Sequence, residues 1–87
     1  MTHQPETHLM RWNGMLLEIT TEPDHISHRL TGEKHAHLRI RSLWPSHARL
    51  PIASHQSLPT AIIDQAGGPE AFVDIMLDVE MSLQQAA

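Results

Sequence analysis

The C-terminal segment 67–85 reads GGPEAFVDIMLDVEMSLQQ, and its apolar residues recur at the spacing of one long helix. Pro69 lies at the expected first residue of the helix. Its missing N–H costs no hydrogen bond there, because the first N–H groups of a helix have no acceptor within the helix. One face of this helix carries a row of apolar side chains, namely Phe72, Ile75, Met76, Val79 and Leu83. This row predicts the face that packs into the core of the domain.

A second apolar row lies on nearly the opposite side of the same helix and consists of Val73, Leu77 and Met81. A helix in a domain this small buries one face in its own core. We therefore expect the second row to be exposed and to contact a partner. The simplest partner is another copy of the chain, so the pattern predicts a homodimer held by this helix.

A row of carboxylates runs beside the second apolar row and contains Glu70, Asp74 and Asp78. All six Lys and Arg residues lie within the first 49 positions, so the helix supplies no basic neighbour of its own. Two interpretations remain open. The carboxylates either face a basic protein partner, or they are compensated in space by Arg39, Arg41 or Arg49 of the same or a second chain.

The length of 87 residues predicts one small domain. Residues 1–10 are typical of a mobile tail, and residues 11–87 form the domain. Apolar residues alternate in two segments, which predict strands over 12–21 and 35–43. A weaker strand is expected over 50–55, where Pro51 confines it to an edge of the sheet.

Turn and helix signals complete the expected fold. Asn13-Gly14 indicates a turn or a bulge at the start of the first strand. Pro59 precedes a short helix over 60–65, and Gly67-Gly68 ends it. The sequence therefore predicts an α+β fold, in which an antiparallel meander of two to three strands precedes a short helix and a long C-terminal helix packed on the sheet.

Composition excludes several classes of protein. The chain has no cysteine, which excludes disulfides and thiolate metal sites. No apolar run approaches the ~20 residues that a membrane span requires. The N-terminus has neither the basic start nor the apolar core of a secretion signal. We therefore expect a cytoplasmic protein with no membrane contact.

Four of the eight histidines form a possible metal site. His25 and His28 would share one side of a helical turn, while His35 and His37 would share one face of a strand. Imidazole is a good ligand for zinc or copper. The spacing matches no zinc motif, so the alternative is a set of surface histidines with no cofactor.

The second strand has a basic face formed by His37, Arg39 and Arg41. Such side chains contact phosphates on nucleic-acid-binding sheets, and they would suit a small dimeric DNA-binding regulator. No aromatic side chain lies between them to stack on a base. The other interpretation is that Glu18 and Thr20 of the first strand pair with the arginines across the sheet.

Signals for catalysis are weak. Several serines lie near histidines in sequence, but no nucleophile elbow surrounds them. Gly67-Gly68-Pro69 begins a helix and is not a phosphate-binding loop. The interpretation favoured by the sequence is a non-enzymatic protein-interaction module that self-associates through its last helix, and the DNA-binding regulator is the alternative.

Three segments resemble a group of short uncharacterised bacterial proteins that are met among plasmid and other mobile-element genes. The segments are Ala36–Ser42, residues 45–52 with Leu50-Pro51-Ile52, and residues 67–73 with Gly67-Gly68-Pro69. They cover roughly half of the chain and consist of a strand, a turn and a helix start. The resemblance implies a bacterial cytoplasmic accessory protein, and it implies no known activity. A separate interpretation of the acidic helix is an inhibitor or accessory factor of a mobile element that acts on a basic partner.

Overall fold

In the described part of the chain, four antiparallel strands form one sheet, and two helices follow the last of these strands. The computed structural model describes residues 5–24 and 29–86. The strands are β1 Glu6–Trp12, β2 Met15–Asp24, β3 His35–Trp44 and β4 His55–Pro59, and the helices are α1 Thr60–Ala66 and α2 Pro69–Ala86. The sheet order is β1-β2-β3-β4, so each strand pairs with the next one along the chain. This arrangement confirms the expected α+β class, with one strand more than the sequence predicts.

The first two strands form a hairpin whose turn is Asn13-Gly14. Both residues have positive φ angles, 49° and 77°, as a two-residue hairpin turn of the favoured type requires. The turn places Trp12 opposite Met15 and pairs Glu6 with Thr21. The mobile tail predicted over residues 1–10 is therefore wrong for residues 6–10, which belong to β1.

The predicted third strand is also displaced. The sequence places it over 50–55, whereas β4 begins at His55. Leu50 and Ile52 are partly buried against the core, so this segment folds towards the interior and does not run extended beside β3. One backbone bond still joins it to the sheet, because Ile40 N donates to Ser54 O at 2.9 Å.

The two faces of the sheet have opposite character. Along β2 and β3, one set of alternating residues is buried in the core on what we call the inner face: Leu17, Ile19, Leu38 and Ile40. The other set, which includes Glu18, Thr20, Arg39 and Arg41, lies on the outer face of the sheet. This is the alternation expected of an antiparallel sheet that is covered on one side.

Two glycines reverse the chain between the helices. Gly67 and Gly68 have φ angles of 106° and 117°, a region that side chains with a Cβ rarely enter. Gly67 N donates to Asp64 O at 3.1 Å and Gly68 N donates to Ile63 O at 3.0 Å, which is the Schellman pattern for ending a helix. The junction thereby directs α2 back across the inner face.

The orientation of α2 reverses the sequence prediction. Val73 and Leu77 have no exposed surface, and Met81 is half-buried against the same core. The row predicted as the homodimer interface is therefore the core row, and Val73 and Leu77 are not exposed for contact with a second chain. Conversely, the predicted core row contains three exposed members, Ile75, Val79 and Leu83.

The physical reason for this reversal is the additional strand. Because β1 widens the sheet, the inner face offers Met10 and Trp12 as well as the central strands for packing. Phe72 and Met76, which the sequence also places on the core row, are half-buried. Helical spacing defines apolar rows on α2, but the shape of the sheet selects the row that is buried.

Among the described residues, no helix is long and apolar enough to cross a membrane. The longer helix, α2, spans 18 residues. Four carboxylates interrupt its apolar surface: Glu70, Asp74, Asp78 and Glu80.

The two valines of α2 provide a matched test of its orientation. Val73→Ala removes two methyl groups from a fully buried position, and we expect it to lower the free energy of unfolding by about 2 to 3 kcal/mol. Val79→Ala makes the same chemical change on the exposed side, and the expected change is within about 0.5 kcal/mol. Urea unfolding of both variants measures the difference. The opposite ranking would mean that the helix is rotated the other way.

Candidate functional site

The carboxylate row of α2 faces the edge strand β1. Glu70 Oε1 lies 3.2 Å from His8 Nδ1, and the indole Nε1 of Trp12 donates to Asp78 Oδ1 at 2.8 Å. Asp74 is exposed and has no hydrogen bond or ion pair within the described ranges. The arginines that the sequence offers as compensation are not in these contacts, and His8 and Trp12 contact Glu70 and Asp78 instead.

The bond between Trp12 and Asp78 joins elements that are far apart in sequence. Trp12 is buried, and a buried indole N–H requires an acceptor to avoid a desolvation penalty. A carboxylate is a strong acceptor for such a group. The bond therefore clamps α2 to β1 across a sequence separation of 66 residues.

The surface of α2 that points away from the sheet carries an apolar row. Ile75, Val79 and Leu83 are exposed to 52%, 51% and 60% respectively, and we call these three residues the outer row. They are spaced four residues apart, so their side chains lie next to one another along the helix. The sequence-based prediction that this row packs into the core is wrong, because both apolar rows have helical spacing and the spacing does not distinguish them.

The basic face of β3 lies on the outer face of the sheet, as its alternation predicts. Arg41 Nε donates to Glu18 Oε1 at 2.7 Å, and Glu18 and Arg41 are partners in the strand register. Cross-strand pairing is thus confirmed for Arg41. Arg39 lies opposite Thr20 in the same register, and it has no hydrogen bond or ion pair to any residue in the described part of the chain.

His37 takes part in a polar cluster around Asp24. His37 Nε2 lies 3.3 Å from Asp24 Oδ2, and the hydroxyl of Ser57 donates to the same oxygen at 3.0 Å. Asp24 is only 8% exposed, so this carboxylate joins β2, β3 and β4 below the surface. Ser57 contacts the carboxylate and not the imidazole, which is unlike a nucleophile activated by a histidine base.

The predicted metal site is described in part. His25 and His28 lie outside the described residues. His35 Nδ1 lies 2.9 Å from the carbonyl oxygen of Glu33, while His37 contacts Asp24. Within the described ranges, no group of three or more His, Cys, Asp or Glu residues is arranged to hold a metal ion. A site built from all four histidines remains a prediction.

The two aspartates of α2 distinguish a structural carboxylate from a solvated one. Asp78→Ala leaves the indole N–H of Trp12 without its acceptor, and we expect it to cost about 1 to 3 kcal/mol of unfolding free energy. Asp74→Ala removes an exposed like charge from between Glu70 and Asp78, so its expected effect is neutral or stabilising by a few tenths of a kcal/mol. Urea unfolding measures both variants.

The fluorescence of Trp12 gives an independent measurement. Trp44 is 66% exposed, so Trp44→Phe in the background leaves the buried indole as the reporter. The wavelength of the Trp12 emission maximum should change in Asp78→Ala. It should return towards the value of the unmodified protein in Asp78→Asn, because asparagine keeps an oxygen acceptor. An equal loss of stability in Asp74→Ala and Asp78→Ala would contradict the clamp.

Comparison of the chain with protein-family models, with curated proteins and with solved structures gives no match. A functional assignment for this chain therefore rests on its own surfaces. The outer row of α2 and the outer face of the sheet are the two surfaces with distinctive chemistry.

Proposed function

We propose that this protein is a protein-interaction module that binds a basic partner through the outer row of α2. The observation that carries the proposal is the exposure of Ile75, Val79 and Leu83, each of which is at least half exposed. Three adjacent aliphatic side chains on one helix form an apolar surface of the kind that marks interaction sites. An amphipathic partner helix or ridge would bury them as anchors at i, i+4 and i+8.

The outer row does not contribute to the packing of α2 against the sheet. Val73 and Leu77 already fill the contact between α2 and the inner face of the sheet. Replacing the exposed aliphatic side chains by polar ones would leave that contact intact. Their position side by side on the exposed side of one helix supports a role in binding.

The charge around the outer row indicates the kind of partner. Asp78 precedes Val79 and lies three residues after Ile75, while Glu80 lies three residues before Leu83. These spacings put a carboxylate on each flank of the apolar surface. No Lys or Arg follows Arg49 in the chain, so α2 cannot neutralise its flanks. An apolar ridge flanked by lysine or arginine would be complementary in both respects.

The same charges disfavour a second copy at this surface. Two copies of α2 packed through their outer rows would bring carboxylates beside carboxylates in either relative direction. Like charges juxtaposed at an interface oppose association. The self-association expected from the sequence is therefore the weaker alternative, and it would need the outer row and not Val73, Leu77 and Met81. If the resemblance to mobile-element proteins holds, the partner would be a basic protein of the element or its host.

Binding to designed peptides tests this proposal. Two short helical peptides share a row of leucines at i, i+4 and i+8, flanked by lysines in one and by glutamates in the other. We expect the lysine peptide to bind with an affinity that falls as salt is raised, and the glutamate peptide not to bind. Isothermal titration calorimetry or fluorescence anisotropy measures both.

Matched variants locate the binding surface. Leu83→Ser removes an outer-row side chain, whereas Leu9→Ser removes an equally exposed leucine from β1. Leu83→Ser should weaken the lysine peptide about tenfold, as expected for loss of an interface anchor, and Leu9→Ser should have no effect. Equal behaviour of the two variants would refute the proposal.

Sedimentation equilibrium addresses the alternative. The single chain has a mass of 9.8 kDa, and we expect this mass across the accessible concentration range. A concentration-dependent doubling that Leu83→Ser abolishes would assign the outer row to a second copy and contradict the basic partner.

A further inference from the structure

A separate surface with different chemistry lies on the outer face of the sheet. Side chains from β2, β3 and the start of β4 line an open depression of about 400 Å³. We call this depression the basin, and its polar lining consists of Glu18, Thr20, Arg39, Arg41, Ser54 and His55. Its volume falls within the range of roughly 300 to 1,000 Å³ that is usual for small-molecule sites.

The strand register brings hydrogen-bond donors together in the basin. Arg39 is opposite Thr20 on β2 and opposite His55 on β4. A hydroxyl, a guanidinium and an imidazole therefore lie side by side across three strands. Ser54 adds a second hydroxyl, and its backbone position is held because its carbonyl accepts from Ile40 N. Donors outnumber acceptors in this lining.

The two arginines of the basin have different roles. Arg41 is held by Glu18 at 2.7 Å through its Nε atom, which leaves its terminal N–H groups available. Arg39 is exposed and has no protein acceptor among residues 5–24 and 29–86. A guanidinium presents a planar fork of donors that matches two oxygens of one anion. Arg39 is thus the guanidinium of the basin that has no anionic partner within the described residues.

We infer that the basin binds a phosphate monoester, with Arg39 as the main contact. A terminal phosphate carries between one and two negative charges at neutral pH and three acceptor oxygens. These oxygens match donors that approach from β2, β3 and β4. The neighbouring carboxylate of Glu18 restricts the site to a single phosphate group, because it would repel a second phosphate along the strand.

A nucleic-acid surface is the less favoured source of the phosphate. Of the residues that the sequence offers for it, His37 contacts Asp24 and Arg41 contacts Glu18. Of these three residues, Arg39 alone has no partner within the described residues. Tryptophan, tyrosine and phenylalanine are absent from the lining of the basin, so bases would lack a stacking platform. A small phosphorylated molecule fits this arrangement better than a strand.

Titration followed by nuclear magnetic resonance tests the inference. The probes are inorganic phosphate, adenosine monophosphate and uncharged adenosine. The two phosphates should shift the amide signals of Thr20, Arg39, Ser54 and His55 in a saturable way, and adenosine should not. Binding that is equally strong for adenosine would overturn the inference, because the phosphate would then contribute nothing.

Matched arginine variants distinguish specific phosphate binding in the basin from attraction of phosphate to positive charge in general. Arg39→Gln should weaken phosphate binding at least about tenfold, which is the loss expected for a charge-assisted hydrogen bond. Arg39→Lys, which keeps the charge but loses the planar fork, should lie between Arg39→Gln and the unmodified protein. Arg11→Gln is the control, because Arg11 lies exposed on β1 outside the basin, and it should leave binding unchanged.

Two further measurements complete the test. Arg39→Gln should keep the melting temperature of the unmodified protein, which shows that lost binding is not lost folding. Sulfate and a short DNA duplex are the competing anions. Equal affinity for sulfate and for phosphate monoester, or a loss in Arg11→Gln equal to that in Arg39→Gln, would indicate a nonspecific anion effect and overturn the inference. Tighter binding of the duplex, with shifts spreading to β1, would assign the surface to nucleic acid.

Discussion

Val73 and Leu77 contact the inner face of the sheet, and this contact determines where every other surface of α2 lies. Full burial of a side chain of this size stabilises a fold by about 1.5 to 3 kcal/mol, while the net stability of a domain is about 5 to 15 kcal/mol. A rotation of α2 about its axis would forfeit both side chains. With this row fixed in the same core as Leu17 and Trp12, the carboxylates must meet β1 and the outer row must face away from the sheet.

The sheet separates two surfaces of opposite chemistry. On one side, α2 presents an apolar row between carboxylates. On the other side, β3 presents guanidinium groups from Arg39 and Arg41. Because the full thickness of the domain lies between them, occupation of one surface does not obstruct the other. The carboxylates of α2 have no basic neighbour on the helix, whereas on the outer face Glu18 is paired with Arg41, so the formal charge of −4 is unevenly distributed.

The parts of the fold that local chemistry determines could be predicted from the sequence. The alternation of apolar residues identifies β3. Pro59 and the pair Gly67-Gly68 mark the two ends of α1. The pairing of Glu18 with Arg41 follows from the adjacency of their strands. The sequence does not predict β1, because ETHLMRW has little β propensity. Pairing with β2 stabilises the strand instead. Asn13-Gly14 is the signal that indicates a hairpin here, since it requires a strand on each side.

The sequence also does not determine which face of α2 is buried, and the reason is different. Both apolar rows satisfy the helical period, so periodicity alone leaves the rotation of the helix undetermined. The rotation depends on the width of the sheet and on the indole of Trp12, both of which are tertiary features. The basin has the same origin, because Thr20, Arg39 and His55 are distant in sequence and become neighbours through strand register.

The clamp between Trp12 and Asp78 has a consequence for the order of folding. It joins the first strand to the last helix, and the inner face of the sheet stays uncovered until α2 is in place. During synthesis, the strands leave the ribosome long before the residues that cover them. Contacts of such large sequence separation slow folding, and an uncovered sheet is prone to association with other chains. A released chain that is truncated before α2 would therefore present an apolar sheet face without its cover.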